Sequence, residues 1–264
     1  MDHGKADGKA DGKADGKLES KAHGKVYLVG AGPGAQDLIT VRGARLLAAA
    51  QVVLHDALVS PEMLALCPQA LLVDVGKRCG QKSARQDWIN AQLLHYAASY
   101  DTVVRLKGGD PMLFGRADEE LCALEAAGIE FAIVPGITTA LAAAAAASAP
   151  LTRRGVARSV ALFTSSTAPE LADPMPVTPD ADTLVQYMGG REAVATAQRL
   201  LADGRSPATP VVVVENCSRP EQRIVRLDLA RLADGLQVAH GPVLVMIGEA
   251  LRLREHQRDD SAPA

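Results

Sequence analysis

The stretch of sequence that decides the fold is RLKGGDPMLFGR, residues 105–116. An apolar run at residues 102–106 leads into its glycines, and a helix-like run at residues 119–127 follows it. The motif therefore lies where a strand is followed by a helix, which is the edge of an open α/β sheet at which ligands bind. Gly108 and Gly109 have no Cβ, so the backbone there can turn sharply and approach a ligand closely. A tight turn without a ligand is the alternative that this motif alone leaves open.

The composition predicts hydrophobic cores and no general attraction for polyanions. The chain has 264 residues, of which 48% are hydrophobic and 3% aromatic, and its formal net charge is −3. A chain of this length forms one large domain or two modest ones. Its net charge excludes a global basic field, so we expect no nucleic-acid and no membrane partner. Local basic clusters must then bind any anionic ligand.

Cysteine usage and hydropathy predict a soluble, cytoplasmic protein. No CxxC pair occurs among the four cysteines, so neither a zinc site nor a disulfide framework is indicated. The longest run of small apolar residues, 141–147, is too short to span a bilayer. No basic segment followed by an apolar one resembles a signal peptide.

The first 135 residues predict a tail and one α/β domain. Residues 1–24 repeat ADGK three times and offer no apolar face, so we expect a disordered tail. Residues 25–135 alternate apolar runs with helical patterns, which predicts a mainly parallel sheet covered on both faces. The predicted strands are 26–29, 52–55, 71–75, 102–106 and 131–134, and the predicted helices are 40–50, 86–100 and 119–127.

The second half predicts another α/β domain, with a mixed sheet. Thr138 and Thr139 are placed to cap an Ala-rich helix that continues to Ala147. Strands are predicted at residues 160–165, 183–187, 211–215 and 243–247, with uneven connections. We assign residues 136–252 to this domain and 253–264 to a polar tail. A cleft between two such domains is a favoured place for a small ligand.

The first glycine-rich loop permits a nucleotide. Residues 30–35, GAGPGA, satisfy the dinucleotide-binding pattern, and Asp56 closes the next strand near the position of a ribose-binding acid. Pro33 and Gly34 interrupt the chain where a phosphate-facing helix should begin. A nicotinamide-dependent oxidoreductase and a plain turn therefore both remain alternatives.

Basic residues border the predicted cleft on three sides. They lie in residues 75–86 (VGKRCGQKSARQ), in residues 105–116 and in residues 151–158 (LTRRGVAR). Together they predict a polyanionic ligand, with ordinary solvated loops as the alternative. Asp56 and Lys77 each follow a predicted strand at the same sheet edge, so each is either a structural or a functional charge. A metal site is not indicated.

Eight motifs occur in the order and roughly the spacing of the uroporphyrinogen-III C-methyltransferases, and the chain resembles that family. They are VGAGPG (29–34), VVLHDALVSPE (52–62), VGKRCG (75–80), RLKGGDPMLFGR (105–116), VPGITTA (134–140), APLTRR (149–154), QYMGG (186–190) and VVENCSRPEQR (213–223). The resemblance implies the tetrapyrrole-methylase fold: two α/β domains with S-adenosyl-L-methionine in the cleft between them, usually as a homodimer.

The same resemblance implies roles for individual residues. Asp56 matches the proton acceptor of the family and Lys77 the proton donor. Two cofactor positions depart from the family pattern, because Cys217 replaces a common Gly and Thr139 a common Ala. The implied cofactor contacts are Pro33, Gly108, Gly109, Asp110, Leu113, Thr138, Thr139, Met188 and Cys217.

The implied reaction agrees with the charge pattern. Uroporphyrinogen III carries eight carboxylates, which would explain basic loops on a protein of net negative charge. We expect methylation at C2 and C7, giving precorrin-2 and two molecules of S-adenosyl-L-homocysteine. The hypothesised carboxylate clamps are Arg105, Arg116, Arg153 and Arg154. Besides an oxidoreductase, a non-catalytic relative and a methylase acting later on the corrin path remain alternatives.

Overall fold

The computed structural model describes residues 24–76, 86–166, 177–237 and 241–253. Within these ranges the chain forms two α/β domains, each built on a five-stranded sheet. The predicted fold class is therefore confirmed, whereas the exact domain limits stay a prediction. No helix in the described ranges is long and apolar enough to cross a bilayer, and those ranges contain no cluster of three metal-ligating side chains.

The N-terminal sheet is entirely parallel and has the order β3-β2-β4-β1-β5. All five predicted strands are present: β1 (Lys25–Gly30), β2 (Val52–His55), β3 (Leu71–Asp74), β4 (Thr102–Lys107) and β5 (Phe131–Val134). The two central strands, β1 and β4, are apolar on both faces at most positions, as a sheet covered by helices requires.

Helices cover both faces of this sheet. They are α1 (Val41–Ala49), α2 (Pro61–Leu64), α3 (Gln86–Ala97) and α4 (Ala117–Ala126). The first two begin at side-chain caps, because Thr40 Oγ1 accepts a hydrogen bond from the Gly43 N–H and Ser60 Oγ accepts one from the Met63 N–H. The short helix α2 was not predicted, and α3 ends three residues before its predicted end.

The order of strands creates a crevice between β1 and β4. From β1 the chain crosses to β2 on one side, whereas from β4 it crosses to β5 on the other. Neighbouring parallel strands whose connections leave in opposite directions form a topological switch point, where ligands bind at the carboxyl ends. The motif at residues 105–116 begins in β4 and therefore enters this crevice.

The C-terminal sheet is mixed, with the order β6-β7-β10-β8-β9. Only β6 and β7 are parallel, and the other neighbours are antiparallel. The strands are β6 (Val160–Thr164), β7 (Thr183–Tyr187), β8 (Pro210–Glu215), β9 (Arg223–Asp228) and β10 (Val243–Ile247). The helices are α5 (Thr139–Ala146), α6 (Gly189–Ala202) and α7 (Leu229–Asp234).

Helix α5 connects the two domains and packs on the second sheet. Ala140 and Ala143 share a buried cluster with Val185 and Leu244 of that sheet. Thr138 occupies the N-cap position as predicted, but its hydroxyl makes no capping hydrogen bond. It hydrogen bonds with the phenol of Tyr187 instead.

Candidate active site

Three glycines bring the strand ends of the N-terminal sheet into direct backbone contact. A Cβ on Gly30 would lie 2.6 Å from Gly136 Cα, and one on Gly136 would lie 2.2 Å from Gly109 O. Gly109 also has a positive φ of 68°, a conformation in which glycine has no steric penalty. The loops after β1 and β4 are joined by the Gly109 N–H donating to Gly32 O at 2.7 Å. The floor of the crevice is therefore bare backbone.

Asp110 connects two of these loops through its carboxylate. Oδ1 accepts a hydrogen bond from the Met112 N–H, and Oδ2 accepts one from the Gly136 N–H, both at 2.9 Å. The aspartate thus fixes the turn after β4 and ties it to the loop after β5. It also places a negative group in the wall of the crevice.

All nine residues predicted to contact the cofactor line one cleft between the two domains. The N-terminal domain contributes its strand-end loops, and the C-terminal domain contributes residues that follow β7 and β8. Sequence reasoning missed the other residues of the wall, which are Gly32, Leu58, Phe114, Tyr187, Val214, Arg219, Pro242, Val243 and Leu244. Most of these are apolar, so the wall suits a ligand with a large uncharged part.

Tyr187 organises the side of the cleft where the domains meet. Its phenol oxygen accepts a hydrogen bond from the Ala140 N–H at 3.1 Å and bonds with the Thr138 hydroxyl. The Phe114 ring lies 5.0 Å from the Tyr187 ring between centroids. Burial raises the pKa of the Tyr187 phenol, so this hydroxyl stays protonated. The signal that could have found it was present, because Tyr187 belongs to the QYMGG motif.

Backbone strain is concentrated around the cleft. Phe114, Met188, Asn216 and Ser218 all have positive φ values, between 49° and 58°. Non-glycine residues seldom adopt this conformation, and it persists where the surroundings enforce it, often at functional sites. Phe114 and Met188 line the cleft, and the other two flank Cys217.

Residues 216–219 form a loop that joins the C-terminal domain to the N-terminal one across the cleft. The Ser218 hydroxyl accepts a hydrogen bond from the Ala35 N–H at 3.0 Å, and Arg219 Nη2 donates to Leu58 O at 2.7 Å. Cys217 precedes Ser218 in this loop and is 4% exposed. Burial raises the pKa of its thiol to about 11, so the side chain is neutral near pH 7.

Of the two residues matched to proton transfer, Asp56 and Lys77, the structure describes Asp56. Asp56 follows β2 directly, and its partly exposed carboxylate accepts a hydrogen bond from Arg105 Nη2 at 2.6 Å. It lies two residues before Leu58, which lines the cleft. Lys77 lies outside the described residues.

Arg105 does not have the environment of a substrate clamp. Its side chain is 2% exposed, and its guanidinium donates to Asp56 and to Glu120. The hypothesis that it binds a substrate carboxylate needs correction, because alternation along β4 directs this side chain toward α3 and α4. Ile89 of α3 and Leu124 of α4 belong to the core on that face, together with Val103 of β4.

The three other predicted clamps are exposed, and none of them lines this cleft. Arg116 pairs with Glu119 at 2.6 Å. Arg153 lies in a turn closed by a bridge to Ala157, and Arg154 follows it. Their role in substrate binding stays a prediction. Among the described residues that line the cleft, Arg219 is the one with a guanidinium.

Comparison with known proteins identifies the same architecture elsewhere. Residues 25–233 match the model of the Tetrapyrrole (Corrin/Porphyrin) Methylases. The siroheme synthase of Tolumonas auensis is 44% identical over 235 residues, which are 88% of this chain and 50% of that protein. The siroheme synthase of Azotobacter vinelandii is 43% identical over 88% of this chain and 51% of its own length. The chain thus spans about half the length of these relatives.

Solved structures match over nearly their whole length. Uroporphyrin III C-methyltransferase from Thermus thermophilus is 39% identical with a TM-score of 0.76, covering 87% of this chain and 94% of that one. The same figures hold for its complex with S-adenyl homocysteine. A cobalt precorrin-4 methyltransferase is 30% identical with a TM-score of 0.73, covering 87% of this chain and 96% of the other.

Proposed function

The chain belongs to the tetrapyrrole methylase family, and from this premise we propose that it methylates uroporphyrinogen III with S-adenosyl-L-methionine. The observation that carries the proposal is the convergence of the nine motif residues on one interdomain cleft. A complex of the Thermus protein with S-adenyl homocysteine supports the choice of cofactor. This chain is 39% identical to the Thermus protein and 30% identical to the cobalt precorrin-4 methyltransferase. The difference favours uroporphyrinogen III over a later corrin intermediate as the substrate.

The cleft fits a cationic sulfonium better than a pyrophosphate. Asp110 adds a carboxylate to the wall, and an anion would be repelled by it. Glycines 108 and 109 let the backbone approach the amino-acid end of a ligand. The Cys217 thiol is neutral and, with the apolar residues around it, suits an adenosyl group.

The chain's own residues contribute alignment and proton removal. S-adenosyl-L-methionine supplies an activated methyl group when bound, so little covalent chemistry is required of the protein. The strand-end loops form the floor of the cleft, and their mutual hydrogen bonds fix the positions of their N–H and C=O groups. Attack by an electron-rich pyrrole carbon would form a carbon–methyl bond, break the sulfur–methyl bond and release S-adenosyl-L-homocysteine, and the methylated macrocycle would then lose a proton. Asp56 is the proposed acceptor of that proton.

We assign two successive methylations, at C2 and C7, to this one cleft. Precorrin-2 and two molecules of S-adenosyl-L-homocysteine would be the products. Arg116, Arg153 and Arg154 are the remaining candidates for binding the substrate's carboxylates, since they are exposed cations near the domain junction in sequence.

A homodimer is part of the proposal. An apolar groove beside α5 is bordered by Leu141 and Leu162, which are 60% and 38% exposed. Apolar surface of this kind is typical of subunit interfaces. Light scattering on the purified chain should give a mass twice that of one chain, which is 27.6 kDa.

Two binding and transfer assays test the proposed function. S-adenosyl-L-homocysteine should raise the melting temperature, because a ligand that binds only the folded state stabilises it, whereas NADH should not. Methyl-labelled S-adenosyl-L-methionine should transfer its label to uroporphyrinogen III. Stabilisation by NADH alone would favour the oxidoreductase instead, and cofactor binding without label transfer would indicate a non-catalytic relative.

A further inference from the structure

The central strand β4 carries two cations in the core of the N-terminal domain. Arg105 is 2% exposed and Lys107 is 3% exposed. The strand neighbours of Arg105 in register are Leu28 on β1 and Leu54 on β2, both fully buried. Charges in such surroundings are costly unless they are paired and hydrogen-bonded.

Glu120 of α4 pairs with both cations. Its Oε1 accepts a hydrogen bond from Arg105 Nε at 3.0 Å, and its Oε2 accepts one from Lys107 Nζ at 2.8 Å. The Gln86 amide donates to the same Oε1 at 3.4 Å. Glu120 is fully buried, so it connects α4 to the strand below without facing solvent or the cleft.

Asp56 is the outer end of this network. Arg105 Nη2 donates to its Oδ1 at 2.6 Å, while its side chain remains 29% exposed. In the part of the chain that the structure describes, no hydrogen bond reaches its Oδ2. The network therefore runs from a buried lysine to a carboxylate that has one oxygen held and one available.

The surroundings shift the pKa values of the two cations in opposite directions. Burial lowers the pKa of Arg105, but the carboxylates of Asp56 and Glu120 outweigh it, and the pKa is raised. Burial, followed by repulsion from Arg105, lowers the pKa of Lys107. Arg105 is thus the permanent positive charge of the group.

We infer that Arg105 is a positioning residue, which fixes the Asp56 carboxylate so that Oδ2 faces the substrate for proton removal. Glu120 holds the guanidinium in one orientation, and Lys107 holds Glu120 through its other carboxylate oxygen. This inference rests on the proposed function, and it replaces the hypothesis that Arg105 binds a substrate carboxylate.

The geometry of the guanidinium favours positioning over a substrate contact. Its Nε donates to Glu120, its Nη1 to Leu106 O at 3.3 Å and its Nη2 to Asp56. Each nitrogen therefore already has an acceptor inside the protein. A lysine could not replace it, because an ammonium is a compact charge without the planar fork that reaches both carboxylates.

A double-mutant cycle with Arg105→Gln and Asp56→Asn tests the inference in the 264-residue chain. We expect Arg105→Gln to lower kcat at least about tenfold. The KM for uroporphyrinogen III and the Kd for S-adenosyl-L-homocysteine should change less than about threefold. The double variant should be no slower than Asp56→Asn alone, because both changes disable one unit.

Two further variants keep the test decisive. Arg105→Lys keeps a cation beside Glu120 and carries the test if Arg105→Gln does not fold; its kcat should also fall, with cofactor affinity retained. Arg252→Gln removes an exposed arginine paired with Glu249, and its kcat should match the wild type.

Different failures have different meanings. A raised KM with unchanged kcat in Arg105→Gln would overturn the inference in favour of a substrate clamp. The inference would also be overturned if the fold-loss of kcat in the double variant equalled the product of the two single losses, since the two residues would then act independently. A wild-type chain that transfers no methyl group would overturn the proposed function itself, and this inference with it.

Discussion

The contact among Gly30, Gly109 and Gly136 is the feature of single residues on which the shape of the cleft depends most. The atoms that a new Cβ on Gly136 would meet are backbone atoms of two other strand ends. Backbone cannot move aside as a flexible side chain can, so these loops would have to separate.

Gly136→Ala should therefore destabilise the protein and weaken cofactor binding together. We expect a loss of roughly 1–3 kcal/mol in the free energy of unfolding, typical of overpacking. Urea unfolding and calorimetric titration with S-adenosyl-L-homocysteine measure the two effects. Gly190→Ala is the matched control, because its Cβ would be 3.5 Å from Val243 and it lies in a helix; it should be neutral or stabilising. Equal effects of the two changes would contradict this account of the strand ends.

Cys217 should be unreactive although it lines the cleft. With a pKa of about 11, roughly one thiol in a thousand is ionised at pH 8. The thiolate is the reactive form, and its fraction rises as the pH approaches 11. Iodoacetamide at pH 8 should thus label the exposed Cys122 and leave Cys217 unmodified, as peptide mass mapping would show.

Labelling of Cys217 at pH 8 as fast as Cys122 would show that the cleft is open to solvent at this point. Addition of S-adenosyl-L-homocysteine supplies the control, since a ligand in the cleft should delay any labelling of Cys217 and leave that of Cys122 unchanged.

The sequence motifs predicted which residues line the cleft better than they predicted what each charged side chain does. Gly108, Gly109 and Asp110 follow a strand in the sequence, and this position alone directs them to the sheet edge. The side chain of Arg105 belongs to the strand itself, so its surroundings depend on Glu120 and Asp56, which are distant along the chain. No local pattern reports such pairings, and only its charge and its position suggested a substrate contact.

Among the structural elements, the loop at residues 216–219 makes the described side-chain connections from the C-terminal domain to the N-terminal loops at Ala35 and Leu58. Each hydrogen bond of this kind contributes about 1 kcal/mol. If these two hydrogen bonds hold the domains around the cofactor, removing either one should weaken cofactor binding.

Ser218→Ala and Arg219→Ala should each raise the Kd for S-adenosyl-L-homocysteine about fivefold. Ser218 does not line the cleft, so its effect reports the domain connection and not a lost ligand contact. Arg252→Ala is the control, because this arginine also donates to a backbone carbonyl, that of Ala208, within the C-terminal domain. An unchanged Kd in both loop variants would mean that the loop does not hold the cleft closed.

Strands were predicted where apolar residues run together and missed where they alternate with charges. All strands of the parallel sheet contain such runs, and each was found. Strand β9, RIVRLD, alternates arginine with apolar residues because it is an edge strand with one face half exposed. Helix α7 is only six residues long, and its Asp228 cap is a signal too short to predict an element.

For the whole molecule, composition and element order sufficed to predict two α/β domains with a cleft between them, and the structure has both. The substrate could not be predicted in this way, because folds of this kind carry many chemistries and function depends on the site. Our proposal therefore concerns the reaction: we propose that one cleft transfers two methyl groups to one macrocycle.

The mass of the product formed from uroporphyrinogen III and excess S-adenosyl-L-methionine tests this claim most directly. The account predicts a product heavier by two methyl groups, with the singly methylated species appearing first and then declining. Carbon-labelled methyl groups should give two resonances, from substituents at C2 and C7. A product that stops at one methyl group, gains a third, or forms only from an already methylated corrinoid would contradict the account.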